Sequence, residues 1–178
     1  MTGMLTVTAS TATRQGAVAL LYIPPKRVVI FTDGAKTDRA ACGAVVITEN
    51  GEAIEILSRL DSTCSCNEAE YAGLIEGLEF ALDASVTIAD VWMDSQLVVN
   101  QVNGRWKVRA DNLRDYHRHA RSLVGRFEQC RVRWRSRDFN EAADGLAAEA
   151  LTIDRVRQFR RRQATQWETS HFDQWSAT

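Results

Sequence analysis

Four acidic side chains in this sequence stand where a chain can present them to one another. Asp33 follows the apolar run Val28-Val29-Ile30-Phe31-Thr32, Glu70 opens a helical stretch, Asp94 ends Val91-Trp92-Met93, and Asp144 lies near the start of a last helix. Carboxylates gathered in one place repel and stay ionised together only with cations between them. An oxygen-only set of this kind suits hard divalent ions, Mg²⁺ or Mn²⁺. Phosphoryl chemistry is the natural use of such a site. Each acid also has an ordinary explanation. Asp33-Gly34 reads as a turn, Glu70 as the third-position partner of a capping box begun at Asn67, and Asp144 as an acid favoured by a helix dipole. Asp94 alone reads as a loop acid or helix cap. The pattern carries weight as a set of four.

The elements that must position these acids are legible from periodicity. Val28 to Thr32 is β-branched and apolar enough for a central strand, and Ala44 to Thr48 and Ala53 to Leu57 flank Asn50-Gly51, a tight hairpin turn. From Asn67, the residues Tyr71, Leu74, Ile75, Leu78 and Leu82 recur at helical spacing, with Gly73 and Gly77 on one face suited to close packing. A strand from Val86 to Met93 leads to a short helix from Ser95 that Asn103-Gly104 ends. An amphipathic helix carries Leu113, Tyr116, Ala120, Leu123, Val124 and Phe127. Cys130, Val132 and Trp134 then alternate with Arg131, Arg133 and Arg135, a strand with one buried and one cationic, solvated face. A final helix from Asn140 has apolar positions Leu146, Ala147, Ala150 and Leu151 that continue through Ile153, Val156 and Phe159.

The order βββαβααβα is an α/β fold, a mixed five-stranded sheet of three antiparallel strands followed by crossover strands, flanked by helices. If the first strand and Val86 to Met93 are parallel neighbours, Asp33 and Asp94 meet at the rim where ligands of such sheets bind.

The 178 residues, 45% hydrophobic and 25% charged, fit one domain with a real core. We read residues 1–26 as an extension, 27–151 as the domain and 152–178 as a helical tail rich in Arg and Trp. Gly16 to Ile23 is apolar enough for an extra edge strand. A formal net charge of −1 gives no global argument for a polyanionic partner. Basic residues nevertheless cluster late, from Arg105 to Arg137. Four cysteines, without a second pair at zinc-finger spacing, read as reduced thiols, and no secretory leader or membrane-length apolar run is apparent, so a cytoplasmic protein is expected. The chain is expected to be a monomer, with the tail its one candidate dimer contact.

Four motifs resemble the type 1 ribonucleases H, particularly the compact bacterial and archaeal branch without an inserted basic handle helix. They are Phe31-Thr32-Asp33-Gly34-Ala35, then Asn67-Glu68-Ala69-Glu70-Tyr71, then Asp94-Ser95-Gln96-Leu97-Val98-Val99-Asn100-Gln101, and last Arg137-Asp138-Phe139-Asn140-Glu141-Ala142-Ala143-Asp144, in the family's order. The resemblance implies an endonuclease that cuts the RNA strand of RNA/DNA hybrids. In this reading Asp33, Glu70, Asp94 and Asp144 hold two Mg²⁺ ions about 4 Å apart, and the products carry 5′-phosphate and 3′-hydroxyl ends.

It further implies contacts from Asn67 and Gln96 to 2′-hydroxyls in the minor groove, a phosphate contact from Ser65, DNA-strand contacts from Trp106 and Lys107, and a product-phosphate role for Arg137. The chain departs from the family pattern at Ser65-Cys66-Asn67, where Thr-Asn-Asn is usual, and at Lys36-Thr37-Asp38-Arg39-Ala40-Ala41, which replaces a glycine-rich loop. It also lacks the mobile His before the last Asp, a region occupied here by Arg135 or Arg137. A module of this fold that binds nucleic acid or a protein without cutting is the alternative.

Overall fold

The computed structural model describes residues 26–153, 157–166 and 168–169. The expected strand at Gly16 to Ile23, together with Arg155, Trp167 and Trp175 of the tail, lies outside them. The sheet has six strands: β1 (Arg27–Lys36), β2 (Ala40–Thr48), β3 (Glu52–Leu60), β4 (Ile88–Met93), β5 (Gln129–Trp134) and β6 (Arg157–Gln163). The α-helices α1 (Cys66–Asp83), α2 (Gln96–Val102), α3 (Arg114–Val124) and α4 (Glu141–Ala150) accompany them. The spatial order is β5-β4-β1-β2-β3-β6. Pairing is antiparallel from β1 through β2 and β3 to β6, and parallel from β1 to β4 and from β4 to β5.

All nine residues of β2 are buried because α1 covers one face of the central strands and α4 the other. Alternation within β1 divides the core in two. Val28 and Ile30 join Tyr71, Leu74 and Leu78 of α1 on one side. Val29 and Phe31 meet Leu146 and Ala150 of α4 on the other. Truncating a fully buried residue such as Leu74 to Ala costs about 2–5 kcal/mol at sites of this kind.

Two local expectations change. Asp33-Gly34 is not a turn: β1 runs on to Lys36, paired with β2 throughout, and the chain reverses at residues 37–39. The β2–β3 hairpin does turn at Asn50-Gly51, but only Gly51 has a positive φ, 76°, and its amide donates to the Thr48 carbonyl at 3.0 Å, a longer loop than a two-residue turn.

The largest correction is at the C-terminal side. The sheet has six strands rather than five, and the last helix stops at Ala150 instead of continuing through Phe159. Residues 157–163 of the supposed helical tail form β6. The spacing of Ile153, Val156 and Phe159 mimics a helix. What decides is β3, whose Glu55 lies beside Arg160 and Arg162, while Phe159 pairs with Ile56 and its ring stacks 5.7 Å from Phe80 of α1. Arg162 also makes a bidentate contact at 2.7 Å to Glu168, which is only 3% exposed. On β5, Trp134 is 45% exposed rather than inward, and Arg131 and Arg133 lie half-buried beside the buried Asp90 instead of fully solvated.

Candidate active site

The acid site is built where β1 and β4 run side by side. Thr32 is level with Met93, the last residue of β4, so Asp33 within β1 and Asp94 just past the end of β4 come side by side. The chain brings Glu70 to them by close packing of α1. A Cβ on Gly34 would lie 2.3 Å from the Glu70 backbone nitrogen, and one on Gly73 would lie 2.7 Å from the Asp33 carbonyl oxygen. Only hydrogen at these positions lets helix and strand touch. One carboxylate oxygen from each of Asp33, Glu70 and Asp94 falls within 4.8 Å of the others.

Burial, the nearby charge of Asp94 and the carboxyl of Asp144 within hydrogen-bonding reach push Asp33 up to about 7. Glu70 is pushed up to about 9 by burial and by the charges of Asp33 and Asp94, with Arg137 opposing. Glu70 Oε2 and Asp94 Oδ1 are buried and have no hydrogen-bond partner among the described residues. Crowded, orphaned, hard oxygen donors fit a divalent cation, because a cation supplies the charge and coordination these atoms lack.

Asp144 reaches the cluster from the first turns of α4 through Asp33, and its carboxylate is gripped by Arg137. It stands outside the tight group of three. The ordinary explanation for Glu70 falls away: the capping box belongs to Ser65 and Glu68, with the Ser65 amide donating to Glu68 Oε2 at 2.7 Å and the Glu68 amide to Ser65 Oγ at 3.3 Å. Asn67 is therefore the second residue of α1 rather than its cap, and it is exposed.

The other expected contact residues surround the acids at different ranges. Gln96 is exposed at the start of α2, whose cap is Ser95. Asn67, Trp106 and Lys107 line one cleft of about 520 Å³ with Gln101, Arg105 and Arg109, so the α1 start and the loop after α2 face each other. Trp106 is 50% exposed. Arg137 is exposed beside Asp144.

Two supporting residues escape a reading of the sequence. Asn140 looks like an ordinary helix cap, yet it is 1% exposed and its amide donates to the Thr32 carbonyl at 3.0 Å, tying the start of α4 to the strand that carries Asp33. Trp134 donates its indole N–H to the Asp94 carbonyl at 2.9 Å. No local pattern distinguishes either, since both partners are backbone atoms far away in sequence.

A family model described as reverse transcriptase-like matches residues 31–150. Ribonuclease HI of Halobacterium salinarum is 34% identical over 128 residues, covering 70% of this chain and 64% of that protein. Its crystal structure, 35% identical, superposes with a TM-score of 0.66 over 70% of this chain and 97% of that one. The chain belongs to the type 1 ribonuclease H family. The ribonuclease H domain of a Mycobacterium tuberculosis protein, Rv2228c, is 38% identical with a TM-score of 0.66, covering 69% of this chain and 97% of that domain. The whole bifunctional Rv2228c protein is matched over only 35% of its length, so this chain spans about a third of that curated relative. A ribonuclease H1 solved in complex with an RNA/DNA hybrid is 27% identical, with a TM-score of 0.62 over 70% of this chain and 99% of that one. The family-model match ends at residue 150, and β6 lies beyond it, paired with β3.

Proposed function

We propose that this protein hydrolyses the RNA strand of RNA/DNA hybrids as an endonuclease, with two Mg²⁺ ions (Mn²⁺ substituting), and leaves 5′-phosphate and 3′-hydroxyl ends. The observation that carries the reading is the convergence of Asp33, Glu70 and Asp94 with two orphaned oxygens, on a chain of the ribonuclease H family. Bound there, divalent cations supply Lewis-acid activation of a water and neutralise charge on the scissile phosphate. Asp33, Glu70 and Asp94 hold the ions, and Asp144 completes the set when Arg137 releases it. Arg137, exposed and adjacent, then meets the phosphate of the product.

Selection of the RNA strand falls to Asn67 and Gln96, exposed at the starts of α1 and α2 and free to address 2′-hydroxyls. Ser65 holds the α1 terminus at which an RNA phosphate would lie. Trp106 and Lys107 meet the DNA strand across the cleft from Asn67. The protein acts in the cytoplasm as a monomer. Assay of a labelled RNA/DNA hybrid, an RNA duplex, a DNA duplex and single strands in Mg²⁺ tests the reading: only the hybrid is cut, and only in its RNA strand. Tight hybrid binding without turnover would instead identify the non-cutting module.

A further inference from the structure

Tyr71 follows the metal-site Glu70 directly and is fully buried, yet it carries a hydroxyl. A buried hydroxyl without a partner is costly, and here the partner lies on another helix: Tyr71 Oη donates to Gln101 Oε1 of α2 at 2.9 Å. Gln101 is itself 5% exposed, and its amide Nε2 reaches on to the Lys107 carbonyl at 3.5 Å. A polar chain thus runs from the turn of α1 that presents Glu70, through the core, to the backbone of the loop that presents Trp106 and Lys107.

The base of that loop is held by further contacts. Arg121 Nη1 of α3 donates to the Val102 carbonyl at 2.8 Å, His117 Nε2 lies 3.2 Å from the Gln101 carbonyl, and the Asn103 amide donates to the Val132 carbonyl at 2.8 Å. These secure residues 101–103. Beyond them, the backbone amides of Arg105 and Trp106 turn back to the Asn100 carbonyl, so Gln101 is the side chain that reaches the Lys107 end.

We infer that Tyr71 and Gln101 are positioning residues that set the spacing between the acid cluster and the 105–109 loop, and hence how tightly a hybrid spanning both is held. This rests on the hybrid-ribonuclease reading. The pair touches neither metal nor scissile phosphate, so its loss acts on substrate affinity and leaves the chemical step alone.

The test is Tyr71→Phe, which removes one oxygen, with Gln101→Leu as a second variant that keeps the site occupied. Expected for Tyr71→Phe are a KM for the hybrid raised several-fold, about the worth of one neutral hydrogen bond, and kcat within about twofold of wild type. Trypsin should also cut the nucleic-acid-free variants faster after Arg105, Lys107 or Arg109. Combining both substitutions should add little to either alone, as for partners in one contact. An unchanged KM, or a fall in kcat at unchanged KM, overturns the inference, as does a wild-type rate of tryptic cleavage in both variants. The tryptic arm needs no turnover, so inactivity of the wild type on hybrids would count against the ribonuclease reading and leave the loop-holding role to be decided by proteolysis.

Discussion

Gly34 and Glu70 are in backbone contact: a methyl group at residue 34 would sit 2.3 Å from the Glu70 nitrogen and 2.4 Å from the carbonyl carbon before it. The glycine after the strand acid therefore fixes how near the helix acid can come. Backbone cannot move aside as a flexible side chain can, so Gly34→Ala must push α1 away from β1. The expected result is a loss of stability of about 1–3 kcal/mol, the usual range for overpacking, with weakened divalent-metal binding. Denaturant unfolding and metal titration would measure the two, and a variant with wild-type values in both would remove the close approach as the cause of the cluster.

On the proposed function, the raised carboxyls would make divalent-metal binding pH-dependent in a definite sense. Asp33 titrates near 7 and Glu70 near 9, both above the ordinary carboxylate values of 3.8 and 4.5. Below the ordinary values both are protonated whether folded or not. As pH rises toward about 7 and then about 9, the unfolded chain ionises freely while the folded site resists, so the metal-free protein loses stability across that window. Divalent ions bound there would remove the penalty and displace the retained protons. The rise in melting temperature on adding Mg²⁺ should therefore be larger at pH 8.5 than at pH 6. A rise independent of pH would contradict this origin.

Arg137 holds Asp144 from an exposed surface position and also opposes the elevation of Glu70. Arg137→Ala is expected to free the Asp144 carboxylate while removing a cation from beside the acids. Stability should change by less than about 1 kcal/mol because the pair is exposed. If the group meets product phosphate, steady-state turnover should fall while the first turnover in a rapid-mixing experiment keeps its rate. Equal loss in both phases would place Arg137 in the chemical step.

β6 is joined to the sheet by charge as much as by backbone pairing. Arg162 stands between Glu55 and the buried Glu168. Burial alone would raise the Glu168 carboxyl, but the Arg162 contact and the Thr165 amide override it and hold it below the ordinary range. Its contribution is present above the unfolded carboxylate pKa and is lost as pH falls through the depressed value. Arg162→Ala should cost on the order of 2 kcal/mol, less than for a fully enclosed pair because Arg162 remains 30% exposed. Thermal unfolding near pH 7 checks this; an unchanged melting temperature would mean that β6 is held by its backbone alone.

Much of the site was legible because its signals are local. Asp33 and Asp94 each follow a short apolar run, and parallel pairing of β1 with β4 is consistent with the α1 crossover from β3, which itself runs parallel to β1, into β4. The spacing of Gly73 and Gly77 anticipates the close helix, although Gly34, read as a turn residue, proved to be the tightest contact. Glu70 was ambiguous for a physical reason: Asn67 and Ser65 are both good caps, and only the chain direction into α1 decides between them. β6 was hidden because its partner is β3, about a hundred residues earlier, and because its arginines pair partly with Glu55 and Glu76, which lie far away in sequence. Asn140 and Trp134 were hidden for the same reason, each serving a backbone atom far away in sequence.

The most direct test of the metal-dependent hybrid-ribonuclease account is cleavage of an end-labelled RNA/DNA hybrid in Mg²⁺ by the wild type and by Asp94→Asn. The substitution keeps the shape of the side chain and removes the charge from a carboxylate with one oxygen unpartnered among the described residues. The wild type is expected to cut only the RNA strand, leaving 5′-phosphate ends, and the variant to lose more than about a hundredfold in rate while folding normally, since a metal ligand matters at least as much as the groups that support one. Cleavage by Asp94→Asn at the wild-type rate would contradict the account.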